Sequence, residues 1–153
     1  MSTNKKDSIA TAILLSGSED TLSAFEQLLN DEPLLQASNH SVTKAAEFTD
    51  SIRRELSLEN SPIVVVIAAD VSSADAFAIA REIDQLRPDS SVIWIAEGGN
   101  PDAVGAMRAG VRAILEDPLD PKRLKSALIE NAEQARKRWL SVVANAAAAQ
   151  NSD

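Results

Sequence analysis

Apolar positions along this chain fall into two alternating patterns. The clearest is Ile63–Asp70, "IVVVIAAD", a continuous β-branched run behind Pro62 that closes in small residues and an acid. A run of this kind reads as a strand buried on both faces, and such strands sit at the centre of parallel sheets. Shorter runs at Ile9–Leu15, Ser91–Ala96 and Val111–Leu115 read as further strands, and Leu34–Ser38 as a short edge strand followed by a turn at "NHS". Between them apolar residues recur at helical spacing: Leu22, Phe25, Leu28 and Leu29; then Ala45, Ala46, Phe48, Ile52 and Leu56 within Thr43–Leu56. The same spacing continues with Phe77, Ile79, Ala80, Ile83 and Leu86; Val104 and Met107; and Leu124, Leu128 and Ile129. Strand and helix therefore alternate five times, with connections long enough for right-handed crossovers. The pattern predicts an α/β fold: a five-stranded parallel sheet in the order 2-1-3-4-5 with helices on both faces.

Polar residues punctuate this pattern. Ser18 before Glu19 and Asp20, and Ser72 three residues before Asp75, are helix-start signals. Asn100–Pro101 reads as the cap and first turn of the fourth helix, Gly110 as its end, and Asp120–Pro121 as the start of the fifth. The Gly-rich loop "EGGN" is expected to be an ordinary connection rather than an anion site. The fifth helix is expected to run to Trp139 and to have room to continue past it. Residues 1–8 read as a polar tail, 9–139 as the folded unit, and 140–153 as an Ala-rich helix end or linker.

Composition narrows the chemistry. With 153 residues and 44% hydrophobic content the chain is one ordinary domain. A net charge of −8 argues against nucleic acid as a partner. The absence of Cys removes thiol chemistry and thiolate metal sites, and a single histidine, His40, cannot form a His-based cluster. No run approaches a membrane span of about 20 residues and no signal-peptide core follows the N-terminus, so a cytoplasmic location is expected. Trp94, inside a strand, is expected in the core, and His40, in a turn, at the surface. The dense basic cluster Arg136, Lys137 and Arg138 fits a helix C-terminus.

The stretch from 88 to 128, "PDSSVIWIAEGGNPDAVGAMRAGVRAILEDPLDPKRLKSAL", resembles the response-regulator receiver (CheY-like, flavodoxin-like) family. The carrying features are Gly110, the strand ending at Ile114–Leu115, the Asp117–Pro118 step and Leu124. The likeness extends more weakly back to residue 9. It implies a cis bond before Pro118. The segment "AMRAGVRAILEDPLDPKRLKSAL" is similar to the atypical receiver at the N-terminus of the CpaE/TadZ pilus-assembly proteins, in which a MinD/ParA-like ATPase domain follows. The resemblance thus implies an ATPase partner domain absent from this chain, and a role in a type IV (Flp/Tad) pilus apparatus.

The receiver's chemistry does not carry over. The two acids that bind Mg²⁺ after strand one correspond to Ser16 and Gly17, and the phospho-accepting Asp to Ala68. The switch Thr or Ser corresponds to Ala96, the Lys before the late Pro to Asp117, and the switch aromatic to Ile114. A non-phosphorylatable module is therefore expected: not an enzyme, without cofactor or metal. Asp70 is the one substitute acceptor, two positions late. Asp70, Glu97, Glu116 and Asp117 should gather at the carboxyl edge of the sheet, as a solvated rim in preference to a cation site. The expected interaction face is the fourth helix, fifth strand and fifth helix, through Met107, Arg108, Ile114, Leu124 and Trp139, toward a protein partner or a second copy. Trp139 reads equally as an interface anchor and as a residue packed back on its own domain. Two other readings stay open: an atypical response regulator in two-component signalling or transcription control, and a phospho-receiver using Asp70.

Overall fold

The computed structural model describes residues 8–98 and 100–151. Most of the expected polar tail, and Gly99 in the Gly-rich loop, lie outside them. The chain runs β1 (Ala10–Ser16), α1 (Glu19–Asn30), β2 (Leu35–Ser41), α2 (Asp50–Leu58), β3 (Ile63–Ile67), α3 (Ser73–Leu86), β4 (Ser91–Glu97), α4 (Ala103–Arg108), β5 (Val111–Asp117) and α5 (Pro121–Asn151). All strand pairs are parallel, in the order β2-β1-β3-β4-β5. This is the predicted topology.

The central strand explains the two-layered core. Along β3 the side chains alternate between the faces of the sheet. Ile63, Val65 and Ile67 join one apolar layer with Phe48, Ile52, Leu56, Ile79 and Ile83 from the α2–α3 side. Val64 and Val66 join the other with Phe25, Leu29, Leu128 and Ala132 from α1 and α5. Each such fully buried Leu, Ile or Phe contributes about 1.5–3 kcal/mol. Trp94 is buried, its ring edge-on to Phe77 at 5.0 Å between centroids.

Local capping matches the sequence at three helices, one of them α5, where Asp120 Oδ1 accepts from the Lys122 amide across Pro121. Ser18 accepts from the Thr21 amide to open α1, and Ser72 from the Asp75 amide to open α3. Gly110, at φ +100°, ends the α4 turn in a conformation that L side chains rarely adopt.

Four boundaries, and the surroundings of His40, differ from expectation. Pairing of β3 stops at Ile67, and Ala68–Asp70 form a turn closed by the Val71 amide on the Ala68 carbonyl. β2 continues through Asn39 and His40, because their backbones pair with Leu14 and Leu15 of β1, overriding weak strand propensity. His40 is half-buried there, its Nε2 2.6 Å from the Glu55 carboxylate, rather than free in a turn. The helix expected over Thr43–Leu56 divides into a 3-10 turn at Ala45–Glu47 and α2, which Thr49 caps. The break comes from Glu47, whose Oε1 accepts from the amides of Thr43 and Lys44 and closes a tight loop. α4 is capped by Asp102, not Asn100, since its Oδ1 reaches the Gly105 amide at 2.8 Å.

The last helix changes the reading of the basic cluster. α5 is 31 residues, about 46 Å at ~1.5 Å per residue. Arg136–Arg138 thus sit mid-helix, where a helix-end dipole does not act. Arg138 instead reaches the sheet, donating to the Asp89 carbonyl at 3.0 Å and to Ser91 Oγ.

Candidate functional site

The carboxyl ends of β1, β3 and β4 meet at Ser16, Ala68 and Ala96. All three are buried, at 0%, 4% and 1% exposure. Ala68 presents a methyl group where β3 ends, and its amide is fixed on the Leu15 carbonyl at 3.0 Å. Ala96 packs in the layer shared with Trp94. Neither carries a group that can be phosphorylated or can hold a phosphoryl oxygen.

Asp70 stands just beyond, and its carboxylate is engaged. Ser16 Oγ donates to both of its oxygens at 3.1 Å, and the Gly17 amide donates to Oδ2 at 2.8 Å. Ser16 Oγ in turn accepts from the Ser18 amide at 3.1 Å. The group is a clasp joining the end of β1 to the turn after β3. Gly17 belongs to it for a steric reason: a Cβ there would stand 2.2 Å from Thr43 Cγ2. An acidic side chain at position 17 therefore has no room while Thr43 holds its place.

Three acids do converge. Glu97 and Asp117 are direct cross-strand partners in β4 and β5, and with Asp70 they line a hollow of about 460 Å³ floored by Ala68. Like charges directly opposite one another in a sheet repel. A second hollow, about 540 Å³, shares Asp70 and Glu97 and extends to Asn100 and Asp102. Among the described residues no Lys or Arg lines either one. Glu116 does not join them: it faces a separate hollow with Pro101, Pro118 and Arg123. Among the described residues no group of three Asp, Glu, His or Cys is placed to hold a metal ion. The charged side chains described around these two hollows are all carboxylates. The Asp117–Pro118 bond is cis.

The remaining singled-out residues fall on different surfaces. Met107 is 59% exposed on α4, beside exposed Arg108 and Val104. Ile114 is half-buried against the layer containing Trp94. Leu124 turns the other way, toward α1, where it shares a small apolar cavity with Phe25, Leu28 and Leu119. Trp139 is half-buried at the point where α5 leaves the sheet: Ala135 is fully buried, and Leu140, Val142 and Val143 beyond it are exposed. Among the described residues no helix is long and apolar enough to cross a membrane.

One cluster was not visible in the sequence. Arg87, 7% exposed, donates to both oxygens of buried Asp89 and to the carbonyls of Leu56, Glu59 and Ser61. It ties the end of α2 and the loop before β3 to the start of β4. Arg in "RPDS" looks like a solvated helix end, and no local pattern marks its distant carbonyl partners.

No protein-family model matches the chain, and no curated protein matches it in sequence. Solved structures do. A pilus assembly-related protein from Burkholderia pseudomallei superposes with a TM-score of 0.66 at 22% identity, over 86% of this chain and 96% of that one. The pilus assembly protein CpaE from Burkholderia thailandensis gives 0.64 at 21%, over 81% and 98%. A CheY-like response regulator receiver domain protein from Methanospirillum hungatei gives 0.68 at 16%, over 85% and 98%. Together with the strand order and the all-parallel pairing, these give the chain the fold of a CheY-like receiver domain.

Proposed function

We propose that the chain is a receiver-like protein-interaction module that works without phosphorylation, in a type IV (Flp/Tad) pilus assembly or localisation protein. The observation that carries the reading is the carboxyl edge of the sheet. Ala68 stands at the end of β3, Asp70 is clasped by Ser16 and Gly17, and the charged groups lining the hollow around them are, among the described residues, all acids. Hard-cation and phosphoryl chemistry both need a different set: oxygen ligands converging on a metal, and a cation facing the phosphoryl group. With that switch lost, the surface left for function is built by α4, β5 and the outer part of α5. Met107 and Val104 offer apolar area there, and Trp139 begins the exposed stretch Leu140–Val143. The two pilus-assembly structures of the same fold support the assignment to pilus assembly. On this reading the partner is a second copy or another component of the apparatus, such as an ATPase domain.

Complementation in a host lacking the gene tests this. Surface pili, counted by electron microscopy, are expected to be restored by the wild type and by Asp70→Asn, and not by Met107→Glu combined with Trp139→Ala. Pili present without the gene, or restoration that fails with Asp70→Asn alone, would overturn the reading. A phospho-receiver using Asp70 predicts the second of those outcomes, and a regulator outside pilus assembly the first.

A further inference from the structure

A basic groove lies between β5 and α5, toward the amino end of β4 and away from the acidic edge. It is about 450 Å³ and carries Arg112, Arg123 and Arg138, with Glu130 the sole acid on its walls among the described residues. Three guanidinium groups in one groove are unexpected on a chain of net charge −8. Among the described residues none of the three has a carboxylate within ion-pair distance.

Two features of the backbone assemble the groove. The pairing of β4 with β5 steps from Val92–Val111 to Ile93–Ala113, so Arg112 is the extra residue of a β-bulge. Bulges re-aim a side chain, and this one brings Arg112 to the groove that Arg138 also lines. Arg138 is held from the other side by its bonds to the Asp89 carbonyl and Ser91 Oγ. Burial, and then the neighbouring Arg112 charge, hold the Arg138 guanidinium below its usual range, with Asp89 opposing them. Two like charges are thus kept close, and among the described residues neither is in direct ion-pair contact with a carboxylate. Arg123 stands toward the other end, about 22 Å along α5 at ~1.5 Å per residue. β5 pairs only with β4, so its outer edge is open beside the groove.

We infer that this groove binds an extended, acidic segment of a protein partner, laid along β5 with its carboxylates on Arg112, Arg138 and Arg123. Arg is suited to bidentate capture of carboxylates, and an open strand edge supplies main-chain hydrogen bonds to an extended chain. The length of the groove favours a chain segment over a single small anion. The inference rests on the reading of the chain as an interaction module and adds the chemistry of one partner.

The test is a fluorescence-anisotropy titration of the full chain into a labelled short peptide alternating Glu with Val, and into its Gln counterpart. Saturable binding tighter than about 1 mM is expected for the Glu peptide. It should weaken about tenfold or more for the Gln peptide, for the Arg112→Gln, Arg123→Gln double variant, and on raising salt. Both substitutions leave the bonds of Arg138 in place, and a melting curve checks that the variant is folded. No saturable binding, equal binding of the Gln peptide, or undiminished binding by the folded double variant would overturn the inference. So would displacement of the peptide by inorganic phosphate or a short single-stranded DNA at concentrations below those at which the peptide binds. A failure here leaves the pilus complementation outcome unaffected, so the two ideas fail separately.

Discussion

Replacing Arg87 by Met removes one buried cation and five hydrogen bonds at once. Its Nε and Nη2 hold Asp89 at 3.1 and 2.9 Å, and its Nη atoms hold the Leu56, Glu59 and Ser61 carbonyls, each at 2.9 Å. Both members of the ion pair are 7% exposed, so water does not replace the lost partner of Asp89. Breaking a buried pair from one side costs about 3–5 kcal/mol, mostly from the stranded charge. The carbonyls near the end of α2 also lose a cation at the negative end of the helix dipole. Against a typical total of about 5–15 kcal/mol this is a large fraction. For a chain of this size it corresponds to a fall in Tm of roughly 6–20 °C. Urea denaturation of Arg87→Met, Asp89→Asn and the double variant forms a cycle. The double variant should be more stable than Arg87→Met by at least about 1 kcal/mol, since a neutral amide no longer leaves a lone buried charge. A loss below about 1 kcal/mol for Arg87→Met, or strict additivity of the two changes, would refute the reasoning.

Other outcomes follow from the same structure. Glu47 is held below the usual carboxylate range by hydrogen bonds from the Thr43 amide, the Thr43 hydroxyl and the Lys44 amide, and Asp75 by the Ala45 amide and the Ser72 hydroxyl. Because both folded-state values are depressed, their stabilisation is complete above the ordinary carboxylate range near pH 4 and is lost as pH falls through the lowered values. Urea midpoints measured against pH should therefore drop on that acid limb, and less steeply in Glu47→Gln, Asp75→Asn. Gly110→Ala should cost about 1–2 kcal/mol in thermal melts, since φ is +100° and the new Cβ would lie 3.1 Å from Asp84 Cβ. Ala68→Asp should not gain phosphorylation from acetyl phosphate, because Asp70, Glu97 and Asp117 add no cation to face a phosphoryl group; a stoichiometric adduct on that variant would contradict the account of the hollow.

What was legible in the sequence follows how local each cause is. β3 could be read because five β-branched residues in succession admit few alternatives, and the sheet order followed from the alternation it anchors. Ser18 and Ser72 could be read because a cap bonds an amide three residues on. Asn39 and His40 were misplaced because their pairing comes wholly from β1. The break in Thr43–Leu56 depends on one carboxylate folding back, and helical spacing of apolar residues hides it. The site shows the same division. That Ala68 stands at the end of β3, where the receiver likeness puts the acceptor, is visible in the sequence, and so is the acidic character of the edge. That Glu97 faces Asp117 while Glu116 turns away depends on strand register. That Gly17 is kept small by Thr43, and that a bulge delivers Arg112 to Arg138, depends on residues far apart in the chain.

The proposed function requires that this receiver fold work without a phosphorylation switch. Intact mass spectrometry of the wild type after incubation with acetyl phosphate and Mg²⁺, with Asp70→Asn alongside, tests it most directly. The mass of both proteins is expected to stay unchanged. A stoichiometric phosphoryl adduct on the wild type that is absent from Asp70→Asn would contradict it.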